Sequence, residues 1–206
     1  MMVLRSSPAS PFGRKVRIAL ALLDLDGETR MEPADTTNVA DSVRAQNPLG
    51  KIPVLIAEDG EAYYDSRVIL EFIDERAGGG RIIPRQARAR LAALRLQALA
   101  DGILDASILI VYEARWRAHE HHEQKWLDHQ AGKVTRALQM LEANPPPLDS
   151  APGSLPSVGQ IALACALGYR DFRFGEGWRA DHPRLVAWLD DFAARVPAFA
   201  ATAPTG

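Results

Sequence analysis

The residues best placed to do chemistry lie in Ser10-Pro11-Phe12-Gly13-Arg14-Lys15. Serine at an N-cap with proline at the first helical position starts a helix. Phe12, Val16, Leu20 and Leu23 then recur at three- and four-residue steps, predicting a helix over 11–23 with one buried stripe. The first amides of such a helix lack intrahelical acceptors and carry the positive end of its dipole, so they receive anions. A thiolate is such an anion, and the Ser10 hydroxyl is a donor beside it. A free thiol titrates at about pH 8.5, and lowering that by one unit takes only about 1.4 kcal/mol. One charge-assisted hydrogen bond supplies that much. The same oxygen can instead cap the helix, and the two uses are expected to compete; Ser7 is the fallback donor. Ser10-Pro11-Phe12-Gly13 also has the spacing of a Cys-Pro-x-Cys redox motif with both sulfurs gone. Disulfide exchange needs an attacking sulfur on the protein, so that chemistry is not expected, and the chain offers no thiolate of its own nearby.

Further candidates lie downstream. In Asp65-Ser66, Ser66 as an N-cap would leave amides free for a carboxylate, while Asp65 could pair with an ammonium group. Tyr112, Arg115 and Trp116 place two aromatics and a guanidinium on one helix, which would suit an apolar or an anionic ligand, although aromatics at helical spacing are more often core. His119-Glu120-His121-His122-Glu123 has metal-like spacing, but polar runs at helix ends are usually solvated, and no metal is expected. Cys165, among Ala162, Ala164 and Leu167, reads as a buried small hydrophobe rather than a nucleophile.

The elements that must position these groups divide the chain in two. Val3 to Arg5 and Glu28 to Pro33 read as strands, as does the apolar run Ile52 to Ala57. Asp59-Gly60 before Glu61 to Tyr64 is a hairpin signal, because both residues tolerate positive φ. A helix from Ser66 puts Ile69, Phe72 and Ile73 on one face. These elements make residues 1–77 a compact α/β unit. Residues 78–87, with Gly78-Gly79-Gly80 and Pro84, are a linker. From Arg88 to the end, 88–206, the periodicity is almost wholly helical. One helix runs to about Trp116; another carries the stripe Leu127, Ala131, Val134, Leu138 and Leu141 and stops at Asn144-Pro145-Pro146-Pro147. A third begins at the Ser157-x-x-Gln160 capping box, with Ile161, Ala164 and Leu167 inward. Leu185, Trp188, Leu189 and Phe192 mark the last.

Bulk properties narrow the function classes. The chain has 206 residues, 47% of them hydrophobic, enough for a sizeable core. Lys plus Arg number 24 against 26 Asp plus Glu, a net charge of −2 that gives no electrostatic reason to expect nucleic acid. No apolar run approaches the roughly 18 residues of a membrane span, and the N-terminus lacks the pattern of a signal peptide. The single cysteine excludes an internal disulfide. A cytoplasmic protein without membrane partners is expected.

Three segments in order resemble the cytosolic glutathione S-transferase family: Ser10 to Leu20, Asn47-Pro48-Leu49-Gly50-Lys51-Ile52-Pro53-Val54-Leu55, and Asp65-Ser66. The helix opened by Pro156-Ser157-Val158-Gly159-Gln160 is similar to that family's capped helix. Ala98 to Ala106 resembles the bacterial YibF-like branch. The resemblance implies a thioredoxin-like N-terminal domain, an all-α C-terminal domain and a homodimer meeting through the helices after Ser66 and from Arg88. It implies that the thiolate is glutathione's, a co-substrate stabilised by Ser10 in the serine-type manner. It further implies a cis bond before Pro53 that presents the Ile52 backbone to the cysteinyl unit. Lys51 would serve the glycyl carboxylate, and Asp65 with Ser66 the γ-glutamyl end. Asp101 would approach the neighbour's glutathione. Phe12, Tyr112, Arg115 and Trp116 would line the pocket of a small electrophile, the reaction being detoxifying conjugation. Glutathione-dependent peroxidase or isomerase chemistry, or a non-catalytic binding role, are the alternatives.

Overall fold

A computed structural model describes residues 1–149, 151 and 153–205. The first part of the chain runs β1 (Met2–Ser6), α1 (Pro11–Leu22), β2 (Thr29–Pro33), α2 (Val43–Gln46), β3 (Val54–Ile56), β4 (Ala62–Tyr63) and α3 (Ser66–Arg76). The four strands form one sheet in the order β2-β1-β3-β4. β1 pairs parallel with β2, Leu4 opposite Met31, and antiparallel with β3, Leu4 opposite Leu55. The Asp59-Gly60 hairpin forms as expected, with Gly60 at φ 89° and Leu55 facing Tyr63 across the antiparallel β3–β4 pair. The helical remainder comprises α4 (Ala87–Trp116), α5 (Gln124–Ala143), α6 (Val158–Phe174), α7 (Pro183–Arg195) and α8 (Pro197–Ala201).

α1 joins the two halves. Val16, Leu20 and Leu23 are buried as predicted, while Phe12 is half-buried against the same core. That core is continuous from Leu4 and Ile18 through Ile69 and Ile73 to Ile103, Leu163, Leu167 and Phe192. Lys15, on the same helix, is wholly buried and donates to Asp101 on α4 at 2.5 Å. Arg14 donates to the Phe199 carbonyl at 2.6 Å and lies over its ring. Asp101 is 6% exposed, and one of its carboxylate oxygens accepts from Lys15 of its own chain.

The glycine-rich segment after α3 is held by one buried acid. The Asp74 carboxylate accepts from the amides of Gly80, Arg81 and Ile82 at 2.8–3.0 Å. The Ile82 carbonyl in turn accepts from Val158 at the start of α6. α6 opens on the predicted capping box: the Ser157 amide donates to Gln160 Oε1 at 2.6 Å and the Gln160 amide to Ser157 Oγ. Ile161, Ala164, Leu167 and Cys165 are all fully buried on it. Gly159 lets α6 approach α4 closely, since a Cβ there would lie 2.5 Å from the Ala93 carbonyl oxygen.

Two local expectations are corrected. Ser66 is not the N-cap of α3 but its first helical residue. Asp65 has the extended cap conformation, and its carboxylate accepts from the Arg67 amide at 2.8 Å. A carboxylate reaches that amide as readily as a hydroxyl and adds charge at the positive end of the helix. On α5, Ala131 is exposed and the buried stripe is Gln130, Val134, Leu138 and Leu141. Lys133 donates to Gln130 Oε1 at 3.0 Å, so a polar side chain fills the place assigned to alanine.

Candidate functional site

Where the start of α1 faces α4 and α6 the chain leaves a cavity of about 610 Å³, within the size range of small-molecule sites. Ser7, Ser10, Phe12, Lys51 and Ile52 line it from the α/β half, with Thr36 and Gly50. Tyr112, Arg115 and Trp116 line it from α4. The sequence-predicted site residues therefore converge, with three exceptions. Pro53 is buried behind the wall, and Asp65 and Ser66 are not among the lining residues.

Ser10 caps α1 with extended backbone (φ −78°, ψ 115°), and its Oγ accepts from the Gly13 amide at 3.1 Å. The Ser10 carbonyl accepts from Arg14, and Pro11 has no N–H. Among the described residues the Phe12 amide is left without an acceptor, at the rim of the cavity. Capping leaves the Ser10 hydroxyl proton free to be donated. Capping uses a lone pair of the hydroxyl oxygen, whereas a ligand sulfur needs its proton, and one hydroxyl offers both. Accepting from Gly13 also polarises the O–H bond and strengthens it as a donor. Gly13 stands at the second cysteine position of the redox spacing. A Cβ there would fall 1.9 Å from Ser6 Oγ, so a side chain enters only if Ser6 turns away.

The Ile52–Pro53 peptide is cis, as expected, and so is Tyr64–Asp65. The Asn47 side chain fixes the turn before Pro53, donating to the Lys51 carbonyl at 2.9 Å and accepting from the Leu49 amide at 3.0 Å. Asp65 pairs with the Arg67 guanidinium at 2.9 Å. Burial pushes the Asp65 carboxyl up, but the hydrogen bonds from the Arg67 side chain and amide outweigh it and leave the pKa lowered.

Sequence reasoning missed Asp105, Ile108, Leu109, Tyr169 and Arg173, all of which line the cavity. The first three sit at helical spacing before Tyr112 (105, 108, 109, 112), so extending that face backward would have found them. Tyr169 and Arg173 share one face of α6, four residues apart, with no signal that this face meets α4. Burial and then the charge of Asp101 raise the Asp105 pKa, which Arg67, Lys51 and Lys15 partly offset. Burial also raises the Tyr169 phenol, which stays protonated as a neutral donor. The lining thus carries Lys51, Arg115 and Arg173 against the single carboxylate of Asp105. Cys165 lies outside this lining, fully buried, with burial lifting its thiol to about 11. His119 and His122 approach to 5.2 Å between ring centres, and His122 Nε2 contacts the Arg117 carbonyl. No metal-ligating cluster occurs among the described residues.

Comparison with known proteins agrees along the whole chain. Residues 4–81 match the family model described as the glutathione S-transferase N-terminal domain, and residues 124–191 the corresponding C-terminal domain. The chain is 36% identical to YibF of Escherichia coli K12, described as an uncharacterized GST-like protein, over 98% of each. A glutathione transferase family member from Pseudomonas fluorescens Pf-5, solved with bound glutathione, superposes at a TM-score of 0.90 with 42% identity over all of both chains. A glutathione S-transferase from Methylobacillus flagellatus KT, also with glutathione bound, superposes at 0.90 with 35% identity over all of both chains.

Proposed function

This chain belongs to the glutathione S-transferase family, with that family's thioredoxin-like N-terminal and helical C-terminal domains, and we propose that it binds glutathione and activates its thiol at Ser10. The bound sulfur faces the start of α1, where the Ser10 hydroxyl and the Phe12 amide donate to it. The thiol proton leaves to solvent. The thiolate then attacks a small apolar electrophile held among Phe12, Tyr112, Arg115 and Trp116. A carbon–sulfur bond forms as the leaving group departs with its electron pair. Rate enhancement comes from proximity and from stabilising the nucleophile as its anion.

The rest of the tripeptide runs along the α/β half, residues 1–77. The Ile52 backbone beside Pro53 takes the cysteinyl unit, Lys51 the glycyl carboxylate, and Asp65 with Ser66 the γ-glutamyl end. Residues 78–87 connect this unit to the helical domain, 88–206, which supplies the electrophile wall. No helix among the described residues is long and apolar enough to cross a membrane, and the reading is of a cytoplasmic homodimer, which light scattering tests.

The observation that carries the reading is the Ser10 hydroxyl: its oxygen is engaged by Gly13 at the cavity wall while its proton remains available. Ser7 lines the same cavity but accepts no such polarising hydrogen bond among the described residues. The test is steady-state conjugation of glutathione to an activated aryl chloride. Wild type should accelerate chloride release, and Ser10→Ala should lower kcat/KM about 10- to 100-fold, the scale of one hydrogen bond to a charged group. Absence of glutathione binding, or equal rates for the two proteins, would reject it.

A further inference from the structure

Two cavity-lining cations have no carboxylate partner. Arg115 comes from the end of α4 and Arg173 from the end of α6, and among the described residues neither belongs to an ion pair. Each lies against aromatic rings instead: Arg115 is 5.3 Å from the Tyr112 ring centre, and Arg173 is 4.2 Å from that of Phe172. Arg173 Nε is buried and has no acceptor. A guanidinium stacked on rings is oriented without being neutralised, so its charge remains available to a ligand. Asp105 does not neutralise them: it stands ten residues before Arg115 on α4, about 15 Å along the helix axis, and its electrostatic neighbours are Asp101, Arg67, Lys51 and Lys15.

We infer that the second substrate is an organic acid, an electrophile whose carboxylate is held by Arg115 and Arg173 while its apolar body packs on Phe12 and Trp116. This deepens the glutathione-transfer reading and rests on it. The planar, forked donors of arginine match a carboxylate, and two guanidinia on different helices fix its direction as well as its charge. Tyr169 adds a neutral donor beside Arg173. A neutral electrophile would leave the half-buried Arg173 without an anionic partner, and a cationic one would be repelled by both guanidinia.

Two glutathione thioethers of nearly equal shape test this without requiring turnover. S-(4-carboxybenzyl)glutathione and S-(4-carbamoylbenzyl)glutathione differ in one terminal group, an anion against a neutral amide. Calorimetric titration of wild type should give the carboxylate about tenfold or more tighter binding, the scale of one charge-assisted hydrogen bond. That preference should shrink in Arg115→Gln and fall to near unity in Arg115→Gln/Arg173→Gln. Equal affinities in wild type, a comparison that needs no variant, would overturn the inference, as would a preference that survives the double substitution. Titration with unmodified glutathione separates the two levels. If glutathione does not bind, the underlying reading fails and takes the inference with it; if it binds while the thioethers bind equally, the inference alone fails.

Discussion

Where α1 and α3 meet α4, positive charge is matched: Lys15 pairs with Asp101, Arg67 with Asp65, and Lys51 lies within electrostatic range of Asp105. Where the end of α4 meets the end of α6, the cations Arg115 and Arg173 lie against aromatic rings and, among the described residues, pair with no carboxylate. The cavity is lined by Lys51 and Asp105 of the first region and by Arg115 and Arg173 of the second. In the first, the buried Lys15–Asp101 pair ties α1 to α4, where an unpaired buried ammonium would be costly, while Arg67 and Asp65 pair at the exposed start of α3. The second leaves charge uncompensated, which a fold tolerates at a half-open site where a ligand completes it. Pairing, more than burial, separates the structural cations from those available to a substrate.

The strongest way to break this contrast is Lys15→Met. It leaves Asp101 buried opposite an apolar side chain and should cost about 3–5 kcal/mol in urea unfolding. Adding Asp101→Leu should restore much of that loss, since a well-packed apolar pair is often as stable as the ion pair it replaces. A single-variant cost below about 1 kcal/mol would show that the pair holds little. Ser157→Ala sets a scale between the extremes: it removes the hydroxyl of the α6 capping box and should cost about 1 kcal/mol in the same assay.

Asp105 sharpens the comparison through pH. Burial first, and the nearby Asp101 charge second, raise its pKa in the folded protein. The folded state therefore holds that proton more tightly than the unfolded chain. The associated stability is fully present below the unfolded pKa and is lost as pH rises through the folded value. Asp105→Asn should flatten that fall, so that wild type loses more stability than the variant between acid and neutral pH in urea titrations. The opposite slope would mean that Lys51, Arg67 and Lys15 dominate its surroundings.

Arg115→Gln should be nearly silent in unfolding, within about 0.5 kcal/mol, because its side chain is exposed and forms no ion pair among the described residues. A larger loss would place Arg115 with Lys15 as a structural cation. Cys165 should show the smallest effect. Its buried thiol, lifted to about 11, should resist a thiol reagent at pH 8 in the folded protein and react only on unfolding.

The same division explains what was legible in the sequence. The cis bond before Pro53, beside Lys51 and Ile52, follows from the family resemblance, since the residues alone favour trans, whereas Ser10 and Phe12 lie in a short contiguous motif where helix capping is local. The capping box at Ser157, the Asp59-Gly60 hairpin and the α/β-then-helical order were legible for the same reason. Ser66 was misplaced by one residue because Asp65 and Ser66 can both cap, and only backbone conformation decides between them. The helical wall was half legible. Tyr112, Arg115 and Trp116 announce themselves by type, but Arg173 and Tyr169 lie about 60 residues away on α6. Nothing local marks which face of α6 meets α4. Gln130 took the place assigned to Ala131 because burial on α5 follows the facing helix rather than residue type.

The central claim is that the Ser10 proton holds a bound sulfur as its anion. Its most direct test is a pH titration of the thiolate absorbance of bound glutathione, wild type against Ser10→Ala. The account predicts a thiolate near neutral pH in wild type and a titration shifted up by about one unit or more in the variant, which still binds. Identical titrations in the two proteins would contradict it and reduce Ser10 to a helix cap.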